Sequence, residues 1–134
     1  RRMTRFLIVA AGGALGAMAR YGVGIASQRL VGPGSTWPWA TLTVNVAGGL
    51  LMGLLVGWLA LRAGAGQESL RLFAAVGLLG GFTTFSAFSL EAVLMIERRQ
   101  FAMAGGYVAL SVVLSIPALF IGLTVARRAF GAAL

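Results

Sequence analysis

Tyr107, Ser111 and Ser115 stand four residues apart in one apolar stretch. On a helix that spacing aligns them on a single face. A row of neutral hydroxyls can hand a hydrogen-bonding ion along in steps. Thr41 and Asn45 repeat the spacing in another apolar stretch, and the Asn45 amide falls in its middle third, where a polar group must find a partner. A third stretch carries Gly80-Gly81-Phe82-Thr83-Thr84-Phe85-Ser86-Ala87-Phe88-Ser89 at its centre. Paired glycines loosen a helix, and hydroxyls satisfy freed backbone groups. Irregular backbone at membrane depth is tolerated only inside protein or beside a wet cavity. The chemistry on offer is therefore ion coordination by neutral groups, in a pore or binding site. Phe82, Phe85 and Phe88 are spaced by three. Their ring edges would favour a small anion and their faces a cation, and the spacing leaves both open. An unwound 80–83 segment would also expose carbonyls able to hold a hard cation such as sodium. The ordinary roles are back-bonding of each hydroxyl to its own helix and phenylalanines in a core.

Composition says what must carry these residues. The chain has 134 residues, 59% hydrophobic and 10% charged, with a mean hydropathy of +0.92. That is too apolar for a soluble domain and fits an integral membrane protein. With no Cys and no His, disulfides, thiolate sites, histidine bases and imidazole ligands are all excluded. Neither hydrolytic triads nor zinc sites fit, and the chain reads as a non-enzyme. The net charge of +8 comes from Arg alone. These arginines punctuate the ends of apolar stretches, which suits headgroup anchoring and not a nucleic-acid face. The first stretch follows Arg1, Arg2 and Arg5 as a signal peptide would. It is long and carries Arg20, so it reads as retained.

Four spans are expected, at about 6–27, 39–61, 72–96 and 102–126, each long enough for a hydrocarbon core of about 30 Å. They make one four-helix transmembrane domain over 1–134. The linker Gly32-Pro33-Gly34-Ser35-Thr36-Trp37-Pro38, the loop Arg62 to Arg71 and the reversal Glu97-Arg98-Arg99-Gln100 join them. An even span count puts Arg1, Arg2, Arg5, Arg62, Arg71, Arg127 and Arg128 on one side and Arg29, Arg98 and Arg99 on the other. Arg1 and Arg2 precede Met3, and without them the bias that fixes orientation is weak. Pro117 removes a backbone donor and should bend the fourth span. Glycines four apart, at 12 and 16, at 49, 53 and 57, and at 77 and 81, would each line one helix face. Such rows serve contacts within a subunit or between subunits. Four helices enclose little space, so an oligomer is the expected setting for a pathway.

The run at 80 to 89, Gly-Ala-Leu-Gly-Ala-Met-Ala-Arg-Tyr at 13 to 21 and Thr-Leu-Thr-Val-Asn-Val-Ala-Gly at 41 to 48 together resemble the CrcB (Fluc) fluoride channel family, over the whole chain and in motif order. The resemblance implies an all-α membrane protein whose third helix is broken near its middle, assembled as an antiparallel dual-topology homodimer in the cell inner membrane. It further implies two pores per dimer for passive fluoride export and a structural sodium ion at the dimer centre. By the same resemblance the pore phenylalanines are Phe85 and Phe88, the pore asparagine is Asn45, and the hydroxyl track is Tyr107, Ser111 and Ser115. The sodium-holding carbonyls are those of Gly80 and Thr83. Arg20 matches an arginine near a pore mouth and Glu91 an acidic residue beyond the phenylalanines, while Phe82 is left out of the pore.

Fluoride is small and strongly hydrated, so a pore must replace its water with close donors. Asn45, Ser111, Thr84 and ring edges can do so without a fixed charge that would trap the ion, and Thr41 shares the face of Asn45. The alternative is a small dimeric proton-coupled exporter of cationic drugs. That mechanism needs a carboxylate near the midplane, and Glu91 lies toward one end of its span. A non-transporting assembly subunit would leave the hydroxyl row without a purpose.

Overall fold

The computed structural model describes residues 1–32, 34, 36–62 and 67–131. Among these residues the structure is helical, with four helices long and apolar enough to cross a membrane. They are α1 (Arg2–Val31), α2 (Trp39–Ala60), α3 (Gln67–Glu97) and α4 (Phe101–Gly131). Each covers most or all of its expected span, and α1, α3 and α4 run past theirs at both ends. Pro33 and Ser35 of the first linker and residues 63–66 of the second loop lie outside the described residues.

α3 is not one continuous helix. Residues Leu72–Leu79 are wound as a π-helix, a wider turn with an i→i+5 pattern that is rare and frequently found at functional sites. Nothing in the sequence signals it. After a short helical stretch at Gly80–Phe82, the backbone turns extended at Thr83 (φ −84°, ψ 158°) and Thr84 (φ −150°, ψ 118°), and helix resumes at Phe85–Glu97. The break thus falls just after the glycines. Gly80 itself has helical torsions (φ −62°, ψ −38°), so the unwound stretch expected at 80–83 is found at 83–84.

The glycines serve close packing instead. Gly12 and Gly16 of α1 meet the first arm of α3 (67–82) so closely that a Cβ on either would strike backbone, at Phe73 and Leu78 respectively. Gly77 and Gly81 reciprocate, facing the carbonyls of Val9 and Gly13. In the second pair, Gly53 and Gly57 of α2 face Leu119, Leu123 and Ala126 of α4, and Gly122 answers against Leu50 and Leu54. These rows all make contacts inside one subunit. Small residues let helix backbones approach and gain dispersion contacts that lipid-facing Leu cannot supply. The chain is therefore two tight pairs, α1 with the first arm of α3 and α2 with α4, and the second arm of α3 crosses over to pack on α4. The break at Thr83–Thr84 lies at that crossing.

Pro117 sits inside the continuous α4 helix. The reversal before it is tight: Arg99 adopts φ 59°, and the Gln100 amide donates back to the Met95 carbonyl at 2.9 Å, the left-handed cap that ends many helices. A small core of Leu42, Ala92, Met95, Ala104 and Tyr107 joins α2, the second arm of α3 and α4, with Trp37 and Phe88 packed against it.

Candidate functional site

A break in a membrane helix strands backbone groups that must be satisfied internally. Asn45 does this for Thr84 from both sides. Its Nδ2 donates to the Thr84 carbonyl at 3.0 Å, and its Oδ1 accepts from the Thr84 amide at 2.8 Å. The carboxamide thus stands in for a peptide group. The Thr84 hydroxyl caps the second arm by accepting from the Ala87 amide at 3.1 Å, the usual role of an N-cap threonine. Thr83 turns back, its hydroxyl donating to the Leu79 carbonyl at 3.1 Å.

These bonds have a consequence for two carbonyls. In a continuous helix the Thr84 amide would bond to Gly80 and the Ala87 amide to Thr83. Here Asn45 takes the first and the Thr84 hydroxyl the second. The Gly80 and Thr83 carbonyls therefore lose their helical partners, whereas the Gly81 carbonyl is covered by Arg20 Nε at 3.3 Å. Gly80 is exposed on the surface of the single chain.

Beside the break lies a cavity of about 300 Å³ lined by Asn45, Thr83, Thr84, Phe85, Phe88, Ser111, Val112, Ser115 and Ile116. The Oγ atoms of Ser111 and Ser115 are buried and have no hydrogen-bond partner. Ser89 and Thr124, by contrast, back-bond to the Phe85 and Phe120 carbonyls at 2.9 Å. Both serines line the cavity, and because a buried polar group without a partner is costly, their unpartnered hydroxyls can turn to a ligand there. Phe85 and Phe88 pack at 5.5 Å between centroids, tilted by 44°. Phe85 is 77% exposed, so much of its ring is open on the single chain.

The hydroxyl row is divided. Tyr107 is fully buried and donates to Glu91 Oε1 at 2.9 Å, while Thr41 donates to Oε2 at the same distance. It lies against the Phe88 ring at 5.1 Å and edge-on to Trp37 at 5.5 Å. Tyr107 is thus adjacent to the cavity, on the far side of Phe88, and does not line it. Thr41 and Arg20 line a second cavity of about 340 Å³ with Tyr21, Gln28, Thr84 and Ala87. Thr84 borders both spaces.

A family model described as "CrcB-like protein, Camphor Resistance (CrcB)" matches residues 7–123. The chain belongs to the CrcB family. Among its relatives, the "Fluoride-specific ion channel FluC" of Caulobacter sp. (strain K31) is 60% identical over 128 residues, which is 96% of this chain and 98% of the relative. The protein of the same name from Phenylobacterium zucineum (strain HLK1) is 57% identical over 128 residues, covering 96% and 99%. That of Agrobacterium fabrum (strain C58 / ATCC 33970) is 48% identical over 128 residues, covering 96% and 100%.

In this CrcB-family chain the structure gathers Asn45, Thr84, Phe85, Phe88, Ser111 and Ser115 around one cavity, with Thr83 on its wall. Thr41, Arg20 and Tyr107 stand outside it. Reading the sequence did not join Thr41 and Tyr107 through Glu91. Thr41 and Asn45 do share a helix, but only the three-dimensional pairing of α2, α3 and α4 brings the carboxylate between two hydroxyls. Val112 and Ile116 were also missed, being apolar residues one position after each serine. The four helices and the family together make this a multi-pass membrane protein.

Proposed function

We propose that this chain is a fluoride channel of the cell inner membrane, letting fluoride leave the cytoplasm down its gradient. The observation that carries the reading is the cavity at the break of α3, where the free hydroxyls of Ser111 and Ser115 meet the rings of Phe85 and Phe88. The relatives' printed name, fluoride-specific ion channel, points the same way. A strongly hydrated anion needs close donors that replace water yet release it again, and neutral hydroxyls suit both demands. Ring edges add a weak positive field without a fixed charge. Arg20 would serve the approach, since it lines the neighbouring cavity and not the donor-lined one.

Two copies packed antiparallel would give two such pathways and bring the exposed, partly covered faces around Phe85 and Gly80 against protein. The weak arginine bias permits both insertions. The Gly80 and Thr83 carbonyls, freed of helical partners, fit a hard monovalent cation, and sodium held there would fix the two breaks to one another. Carbonyl oxygens without carboxylates suit sodium better than calcium or magnesium.

A drug exporter requires a carboxylate free to exchange protons with substrate, whereas Glu91 is engaged by Thr41 and Tyr107. The test is fluoride efflux from reconstituted liposomes, followed with an electrode and compared with chloride. Passive fluoride efflux with chloride retained supports the channel. Proton-coupled cation exchange would support the exporter, and no flux of either kind an assembly role. Tags at the C-terminus are expected on both sides of the membrane in similar amounts, and a uniform location would refute the antiparallel assembly.

A further inference from the structure

Asn45 is not the only α2 residue that reads the break. One turn on, Gly48 is buried and faces the side chain of Thr83. A Cβ added at Gly48 would collide with Thr83 Cγ2, lie 3.7 Å from Thr83 Cβ and 3.5 Å from Phe82 Cδ2. This glycine differs from Gly53, Gly77 and Gly81, whose missing Cβ makes room for another helix's backbone. At Gly48 the space is filled by one methyl group of one side chain.

We propose that Gly48 is a positioning residue for the helix break. It forms a notch that seats the Thr83 methyl and thereby sets the direction of the Thr83 carbonyl. The inference rests on the channel reading above and deepens it. Residues three apart on a helix share a face, so Asn45 and Gly48 act as neighbouring contacts on two successive residues. Asn45 fixes the Thr84 peptide by its amide and carbonyl. Gly48 fixes Thr83 by its shape.

Thr83 is then held at three points. Its methyl lies in the notch, its hydroxyl donates to the Leu79 carbonyl at 3.1 Å, and its amide donates to the same carbonyl at 3.1 Å. A β-branched side chain has few rotamers, so seating the methyl and the hydroxyl together leaves it one orientation. The backbone torsion at ψ 158° is the one that accompanies that seating. The carbonyl beyond it has lost its helical donor, since the Ala87 amide is bonded to the Thr84 hydroxyl. Its direction therefore depends on how Thr83 is seated. Gly48→Ala would push Thr83 out of the notch, because the neighbour it meets is a short, stiff side chain, not the end of a flexible one. Interiors this dense do not absorb an extra methyl without displacement.

The decisive experiment is a cycle of Gly48→Ala, Thr83→Ser and the double variant, with Thr83→Val as a fourth member. Thr83→Ser removes the methyl and keeps the hydroxyl. Thr83→Val does the reverse. Two readouts are taken on the full-length protein: fluoride efflux from liposomes, and the rise in melting temperature in detergent when N-methylglucamine chloride is replaced by sodium chloride. Gly48→Ala is expected to lower efflux by about tenfold or more and to shrink the sodium-dependent rise. The double variant is expected to regain both, since serine leaves room for the alanine methyl. Gly48→Ala combined with Thr83→Val should show no recovery.

A Gly48→Ala variant equal to wild type in both readouts overturns the inference. So does a double variant with serine that remains as impaired as Gly48→Ala alone, because the lesion would then not lie at the Thr83 methyl. If Gly48→Ala yields no folded protein, the double variant decides: recovery supports the notch, and continued failure refutes it. A wild type that shows neither fluoride efflux nor a sodium-dependent rise overturns the channel reading and this inference with it. A normal wild type beside an unaffected Gly48→Ala overturns this inference alone.

Discussion

The arm of α3 before Thr83 lies on α1 backbone to backbone through Gly12, Gly16, Gly77 and Gly81, whereas the arm after Thr84 is held by side chains. Asn45 grips its first turn, and Thr41 and Tyr107 grip Glu91 farther along. The first contact is apolar, continuous and intolerant of added volume. The second combines a handful of polar contacts, those of Asn45 beside a cavity, with the small core that Ala92 and Met95 join. A helix that must anchor a subunit and also border an ion site can divide the tasks this way, with the break as the boundary. Damage to the first arm should therefore read out as lost protein, and damage to the second as lost flux.

The largest effect is expected from Gly16→Val. Any Cβ there strikes the Leu78 carbonyl, and the Phe82 amide lies 2.9 Å away, so both are backbone and cannot rotate aside. Forcing α1 and α3 apart should exceed ~3 kcal/mol, and size-exclusion chromatography should show little folded protein. Well-folded Gly16→Val protein would break the comparison on the anchoring side.

Asn45→Ala should leave folded protein and cut fluoride efflux by about 100-fold or more. The Thr84 amide and carbonyl both lose their partner, but they are only part-buried beside a cavity, so each should cost less than the ~1–3 kcal/mol of a fully buried unsatisfied group. Asn45→Asp keeps an acceptor for the Thr84 amide but sets a carboxylate oxygen against the Thr84 carbonyl and a negative charge beside the anion's cavity, so its efflux should be no higher than that of Asn45→Ala. Wild-type efflux in Asn45→Ala would remove the polar grip from the mechanism.

Phe85→Leu and Phe88→Leu sharpen the contrast within the second arm. Phe85 is largely exposed on the chain, whereas Phe88 packs on buried Tyr107 at 5.1 Å. Both should reduce efflux. Phe88→Leu should lower the melting temperature more, because that ring loses its pair with buried Tyr107, worth ~0.5–1.5 kcal/mol beyond burial, as well as the pair the two phenylalanines share. Equal melting temperatures would show that Phe88 is not part of the core.

Much of this division can be read from the residues, and its limits have physical causes. The four apolar stretches specify four helices because length and hydropathy alone decide membrane crossing. Glycines four apart announce contact faces, but periodicity does not name the partner, and so Gly12 and Gly16 could not be matched to Gly77 and Gly81. The break was legible in Gly80-Gly81-Phe82-Thr83-Thr84 as a region. Its position was not, because glycine suits both a loosened helix and a tightly packed one, and packing against α1 decided the matter at Gly81. Tyr107, Ser111 and Ser115 share a face as their spacing requires. Whether a hydroxyl is free depends on what sits opposite, and Glu91 engages Tyr107 while Ser111 and Ser115 stay unpaired. The π-wound stretch before the break left no trace in the sequence, since Leu72–Leu79 is as apolar as any α-helical span.

The smallest effect tests the far end of the second arm. Arg99 ends it at φ 59°, a left-handed conformation that glycine adopts freely and that other residues adopt at a penalty. The cap itself is made by backbone, with the Arg98 amide donating to Leu94 at 3.0 Å and the Gln100 amide to Met95 at 2.9 Å. Replacing the side chain keeps those bonds. Arg99→Gly should therefore stabilise the protein by up to ~1 kcal/mol, with Arg99→Asn in between, because asparagine tolerates this region better than arginine. Thermal melting in detergent should rise in the order Arg, Asn, Gly. Efflux should stay at the wild-type rate, since the arm's conducting end is fixed at Thr84 by Asn45, about four helical turns away. A change in efflux without a change in melting temperature would mean that the Arg99 charge acts on the ion directly, and the boundary between anchoring and conducting parts would then have to be redrawn to include the α3–α4 turn.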